Sequence, residues 1–255
     1  MATINFAEKG NGLSVILIHG FPFNQKIWGG FADELAKSFR VFIPDLPGFG
    51  ESPALKSPFS INDVATELLA WIQLKNIQNP VIIGHSLGGY VALAMTQLQP
   101  NLPSGLVLFH STAYADNDEK KANRNKVLDF ISKNGVTSFT SNFIPPLFAD
   151  QKHPSIEMVR NVAIEASEYA VAGYTKAMRD RPDQTALLKE FHKPVLIISG
   201  EKDAGITVDS VKKLAEISKT VELHILPDVA HMGMFEKPDL TGQLIQTFVS
   251  RSNQH

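Results

Sequence analysis

The chain has 255 residues, 44% of them hydrophobic, with 24 basic and 26 acidic side chains for a formal net charge of −2. That is long enough to bury a substantial core as one domain carrying an insertion, and the near-neutral balance gives no reason to expect nucleic acid or an anionic membrane as partner. The absence of cysteine removes disulfides, thiolate metal sites and cysteine nucleophiles together.

Met1 to Lys9 lacks the basic start and continuous apolar stretch of a secretory leader, and no uncharged run approaches the ~18 apolar residues of a membrane span. Cytoplasmic residence is the expectation. Residues 3–8, followed by Lys9-Gly10-Asn11-Gly12, read as the first arm of an antiparallel hairpin with the next strand. Val15-Ile16-Leu17-Ile18, Val81-Ile82-Ile83, Leu106-Val107-Leu108-Phe109 and Val195-Leu196-Ile197-Ile198 are short apolar, β-branched runs, as strands of a sheet covered on both faces need to be. Val41-Phe42-Ile43 joins them, stopped by Pro44, and 221–226 alternates as a strand near an exposed edge does.

Helices fall between the strands. Ile61, Val64, Ala65, Leu68, Leu69 and Ile72 are spaced for one, with Ser60 as its N-cap, and the segment after Ser86 is apolar nearly all round and stops before Pro100. This alternation predicts an α/β fold with a mostly parallel, doubly wound sheet. It breaks after Ser111: helices are expected at 125–133, 155–169 and 170–179, with no strand up to Phe191. The mixed charge run 116–126 reads as a solvated helix face. Some eighty residues exceed any ordinary crossover, so residues 1–111 and 192–255 are expected to form the core and 112–191 a helical cap.

Gly84-His85-Ser86-Leu87-Gly88 lies between a strand and a helix, where the chain must turn so sharply that the flanking positions have to be glycine. Such a turn lifts a serine hydroxyl above the sheet. A hydroxyl is a weak nucleophile and needs a base oriented by a carboxylate. Position removes most histidines: His85 neighbours Ser86 and points its ring away, His19 ends a strand, and His224 lies inside one. His110 is the hardest to dismiss; His231, on a loop after the last strand, is the expected base. Asp203 in Gly200-Glu201-Lys202-Asp203 is the expected orienting carboxylate and Glu201 the alternative, because ligands gather at the carboxyl ends of the strands in open α/β sheets. The order Ser86, Asp203, His231 is the chain order of a nucleophile elbow. The backbone N–H groups of Leu87 and Phe21 are expected to bind an oxyanion, Pro22 having no N–H to offer.

Together, His19-Gly20-Phe21-Pro22, the loop 44–52 with Gly48 and Gly50, Gly84-His85-Ser86-Leu87-Gly88-Gly89, Gly200-Glu201-Lys202-Asp203 and His231 make the chain resemble the α/β-hydrolase superfamily over its whole length apart from the cap. Residues 173–183 look like the matching stretch of small carboxylesterases and 3-oxoadipate enol-lactonases. The resemblance implies a serine hydrolase acting through an acyl-enzyme on a small-molecule ester or lactone. Serine at the elbow argues against the haloalkane dehalogenases and epoxide hydrolases of the superfamily, which use aspartate there. Loop 44–52 reads as a structural turn tucked near the elbow.

Phe21, Phe143, Met178, Met232 and Met234 are the expected pocket residues. Neither a metal nor a nucleotide cofactor is expected, since the chain has no Gly-x-Gly-x-x-Gly and no His-Glu-x-x-His. One rival is a hydrolase or lyase of C–C or C–O bonds with an anionic substrate, which needs a basic residue in the cap pocket; Arg124, Arg160, Arg179 and Arg181 are the candidates. A more distant rival is a non-enzymatic ligand receptor. The choice between monomer and homo-oligomer is left open.

Overall fold

The computed structural model describes residues 3–252. Met1 and Ala2, in the stretch read for a secretory leader, and 253–255, at the end of the expected core, lie outside them. In chain order the elements are β1 (Phe6–Lys9), β2 (Ser14–Ile18), α1 (Gly29–Ala36), β3 (Arg40–Pro44), α2 (Ile61–Leu74), β4 (Val81–His85), α3 (Leu87–Leu98) and β5 (Gly105–Phe109). A wholly helical stretch follows: α4 (Asp118–Phe143), α5 (Ile156–Ala163), α6 (Glu168–Arg179) and α7 (Thr185–Glu190). The chain then closes with β6 (Val195–Gly200), α8 (Val208–Ala215), β7 (Val221–Leu226), α9 (Gly233–Glu236) and α10 (Pro238–Ser252).

The seven strands form one sheet in the order β1-β3-β2-β4-β5-β6-β7. β1 alone runs antiparallel; every other pairing is parallel. Side chains alternate across a strand, so Ile16, Ile82, Leu106 and Ile197 share one face with α2, α3 and α8, while Leu17, Ile83, Val107 and Ile198 share the other with α1 and α10. Both faces are buried, which is why the inner strands are continuously apolar. β7 is half-buried along most of its length, as its alternating sequence implies for an edge. α2 begins with a capping box in which Ser60 Oγ accepts from Asp63 N–H and the Asp63 carboxylate accepts from Ser60 N–H at 2.7 Å.

Four expectations are corrected. The opening segment makes no hairpin with β2. It crosses to pair with β3, Phe6 opposite Pro44 and Lys9 opposite Val41. The turn at Gly10 (φ 71) lies so close to the carbonyls of Ala36 and Phe39 that a Cβ there would collide with them. The chain is thereby led under the α1–β3 connection instead of back along its own strand.

The helix expected over 155–169 ends at Ala163, and Ser167 caps a new one by accepting from Ala170 N–H at 3.1 Å. α4 is longer than the predicted 125–133 and is broken at Gly135, which has φ 74 and ψ 172. Run 116–126 is not uniformly solvated either: Asp116 is buried and accepts from Arg181 Nη1 at 2.8 Å and from Arg124 Nε at 3.0 Å. The Arg181 guanidinium also lies 3.9 Å over the ring of Tyr90 on α3 and donates to the carbonyls of Tyr114 and Met178.

This knot ties both ends of the helical stretch to the helix behind Ser86. Removing one member of a buried pair strands the other charge, so Asp116→Ala is expected to cost about 3–5 kcal/mol of unfolding free energy. Urea denaturation measures this; a loss under about 1 kcal/mol, the worth of a surface pair, would contradict the reading.

Candidate active site

β4 occupies the middle of the sheet, and Ser86 follows its last residue with φ 51 and ψ −113. A side chain at Gly84 would strike the backbone of Gly88, and one at Gly88 would strike the carbonyls of Ile18 and His19, so the turn closes only with glycine at both places. The turn is then pinned: Ser86 N–H donates to the Phe109 carbonyl at 3.0 Å, and the Ser86 carbonyl accepts from Ser111 Oγ at 2.7 Å. Leu87 is the first residue of α3, so its N–H has no intrahelical acceptor and lies at the positive end of the helix dipole.

Phe21 lies on the loop after β2, and its N–H serves no backbone hydrogen bond among the described residues. The loop is braced by His19, whose Nε2 accepts from Leu46 N–H at 3.0 Å and whose Nδ1–H donates to the Gly20 carbonyl at 3.0 Å. Burial pushes the His19 pKa down to about 4, keeping the ring neutral for those two roles. Asp45 accepts from Gln25 N–H at 2.7 Å and from Asn5 Nδ2 at 2.7 Å, and Tyr174 Oη donates to the Pro47 carbonyl at 2.9 Å. Loop 44–52 therefore supports the site from behind.

His231 and Asp203 come from the loops after β7 and β6. His231 Nδ1–H donates to Asp203 Oδ2 at 2.7 Å, while Oδ1 accepts from Gly205 N–H at 2.9 Å and Ile206 N–H at 3.0 Å. Burial works to raise the Asp203 pKa, but the charge of His231 and the imidazole N–H groups of His110 and His231 outweigh it and hold the carboxyl well below the usual range. Glu201, the alternative carboxylate, is exposed and its side chain meets Asp228 N–H at 3.5 Å.

Sequence reasoning missed three side chains that hold this pair. His85 does point away from Ser86, but to a purpose: its Nε2–H donates to the His231 carbonyl at 2.9 Å. The Glu236 carboxylate accepts from the N–H groups on either side of the histidine, Ala230 at 3.1 Å and Met232 at 3.1 Å, and from Ala149 N–H at 2.7 Å. His231 N–H itself donates to the Leu147 carbonyl at 2.9 Å, so the segment between α4 and α5 is bonded to the backbone of His231. The third is His110, buried behind Asp203 with its Nδ1 3.5 Å from Oδ2.

The pocket residues divide. Phe21 packs against Phe139 and Phe143 of α4 with centroids 6.1 Å away in each case, and those two stack on each other at 5.0 Å. Met178 shares that cluster, whereas Met232 and Met234 are buried in a second one with Phe148 and Val159.

Each arginine considered as an anion receptor is engaged: Arg124 and Arg181 with Asp116, Arg160 with Glu157 at 3.0 Å, and Arg179 with Asp180 at 2.7 Å. Among the described residues, the group with convergent metal-ligand atoms is His110, Asp203 and His231, within 4.8 Å of one another. A hydrogen bond already joins His231 Nδ1–H to Asp203, so a cation there would have to displace that proton. No helix of the described residues is long and apolar enough to cross a membrane.

The parallel sheet with β4 at its centre, the serine turn at its carboxyl edge and the loops converging on it define a hydrolase of the α/β type. The chain belongs to the alpha/beta hydrolase fold family, whose profile matches residues 14–238. It is similar to a thermophilic esterase from Thermogutta terrifontis, with a TM-score of 0.92 and 30% identity over 98% of this chain and 94% of that one. It is 27% identical to a pimeloyl-[acyl-carrier protein] methyl ester esterase of Methylococcus capsulatus, across 96% of this chain and 97% of the relative. The enol-lactonase of Burkholderia xenovorans shares the fold, with a TM-score of 0.90 at 20% identity over 98% of this chain and 97% of that one.

Proposed function

We propose that the protein hydrolyses a small or medium carboxylic ester or lactone through an acyl-enzyme on Ser86. The observation that carries the reading is Ser86 at φ 51 on the turn from the central strand, on the same carboxyl edge of the sheet as the hydrogen-bonded His231–Asp203 pair. In the first half-reaction Ser86 Oγ bonds to the carbonyl carbon as its proton passes to His231 Nε2. The carbonyl oxygen, now negative, is met by the Phe21 and Leu87 N–H groups, which act where charge develops. As the intermediate collapses, the C–O bond to the alcohol breaks and the His231 proton leaves with the alkoxide. Water then repeats the sequence on the acyl group and restores the hydroxyl.

Residues 112–191 serve in this reading as a cap over the serine, with 1–111 and 192–255 as the catalytic core. The cap's face toward Phe21 is aromatic, supplied by Phe139 and Phe143. Because the four candidate arginines are paired, the neutral ester or lactone is favoured over the C–C or C–O substrate bearing a carboxylate. A panel of matched nitrophenyl esters tests both points. Turnover is expected to rise with acyl length, each fitting methylene contributing about 1–3 kcal/mol, and to fall before about twelve carbons. A terminal carboxylate on the acyl chain is expected to lower kcat/KM. Activity that climbs past that length, or that improves with the carboxylate, would contradict the pocket as described.

A further inference from the structure

We propose that His110 is a positioning residue for the Asp203–His231 pair, its Nδ1–H reserved as a further donor to the Asp203 carboxylate. The inference rests on reading Asp203 and His231 as orienter and base.

His110 follows β5 with φ 49, and its backbone N–H donates to the Ile198 carbonyl of β6 at 2.7 Å. Its ring is 0% exposed. Nε2 accepts from Gly233 N–H at 3.2 Å, two residues beyond His231. A ring nitrogen that accepts must carry its lone pair, so the proton of the neutral imidazole is on Nδ1. Burial lowers the His110 pKa, with Asp203 opposing, which keeps the ring in that neutral form.

Nδ1 is buried and has no partner at bonding distance; the acceptor facing it is Asp203 Oδ2 at 3.5 Å. Buried donors are rarely left unused. A separation of that length is longer than a formed bond, and catalytic contacts of this kind tighten when substrate binds. The ring thus joins the ends of β5 and β6 to the loop that carries the base.

The electrostatic consequence has a sign. An N–H facing Asp203 favours the charged carboxylate, and its positive end opposes positive charge on His231. Removing it strengthens the hold of Asp203 on a protonated base, so the acid limb of the rate profile moves to higher pH. The other ionisable groups facing the pair are His85, whose ring centroid is 5.1 Å from that of His231, and Glu236 on the flanking N–H groups. The His85 ring also lies 6.1 Å from that of His110, its Nε2–H being spent on the His231 carbonyl, and the Glu236 carboxylate is spent on backbone N–H groups.

Three variants separate the roles. His110→Phe keeps a ring and loses both contacts; His110→Gln keeps an acceptor for Gly233; His110→Asn keeps a donor where Nδ1 stood, and asparagine tolerates positive φ. His110→Phe is expected to lower kcat about ten-fold with KM little changed, and to move the acid limb of kcat/KM up by about half a unit. His110→Gln is expected to show the same shift, and His110→Asn to restore the limb whatever its melting temperature. An acid limb that stays at the wild-type pH in His110→Phe and His110→Gln overturns the proposal, as does a limb that moves equally in all three. If the phenylalanine variant does not fold, the Gln and Asn pair decides alone. The far-downfield proton resonance of the His231–Asp203 hydrogen bond should shift in His110→Gln and return in His110→Asn. This readout needs no turnover, so it tests His110 even if Ser86 proves not to be the nucleophile.

Discussion

Replacing Ser86 with alanine is expected to lower kcat by about 10⁶, because in the proposed mechanism the hydroxyl forms the covalent intermediate and only binding and oxyanion stabilisation remain without it. The same change should leave the fold intact. Ser86 lies at φ 51, a conformation that costs a non-glycine residue about 1–3 kcal/mol and persists because the surrounding bonds over-determine it. Ser86→Gly is therefore expected to be as inactive as the alanine variant and to unfold at a higher urea concentration. Retention of more than about a hundredth of wild-type turnover by either variant would remove Ser86 from the mechanism.

Asp203→Asn is expected to cost about 10⁴ in kcat, since an amide in place of the carboxylate presents a donor to His231 Nδ1 and favours the wrong tautomer. Glu201→Gln should be nearly silent, because Glu201 is exposed and its side chain meets only a backbone N–H. The pH dependence of stability follows from the depressed pKa of Asp203. A carboxylate whose folded pKa lies below its unfolded value, about 3.9, contributes stability that is complete above that value and is lost as pH falls toward the folded one. Asp203 consequently stays ionised while activity declines on the acid side, so the decline reports protonation of the base. In Asp203→Asn the wild-type loss of stability below about pH 4 should be smaller. A severe Glu201→Gln and a mild Asp203→Asn would mean that the orienting carboxylate had been wrongly chosen.

The inner strands could be read from the chain because a sheet covered on both faces demands apolar residues at consecutive positions, a local signal. The serine turn was local only in part: glycine at 84 is required by contact with Gly88, whereas glycine at 88 is required by the distant carbonyls of Ile18 and His19. The partner of β1 was not: alternation says that a segment is extended, not which strand lies beside it, and the crossing to β3 depends on a clash at Gly10 with residues 26 and 29 positions away.

The supports of His231 were hidden for a similar reason. Glu236 acts on backbone N–H groups, which have no sequence signature, and His110 matters only because the ends of three strands converge. The arginines were legible as residues and illegible in direction. Asp116, which engages two of them, sits at the start of a mixed charge run that resembles a solvated surface.

The central claim is that Ser86 is a nucleophile activated by His231. The most direct measurement is to treat the protein with a fluorophosphonate, which phosphonylates an activated serine, and to map the adduct by peptide mass spectrometry. A single stoichiometric adduct on Ser86 is expected, with labelling much slower in His231→Gln at the same pH and absent from Ser86 in Ser86→Ala. Wild-type protein that stays unlabelled while folded, or that carries the adduct on a different serine, would contradict the account.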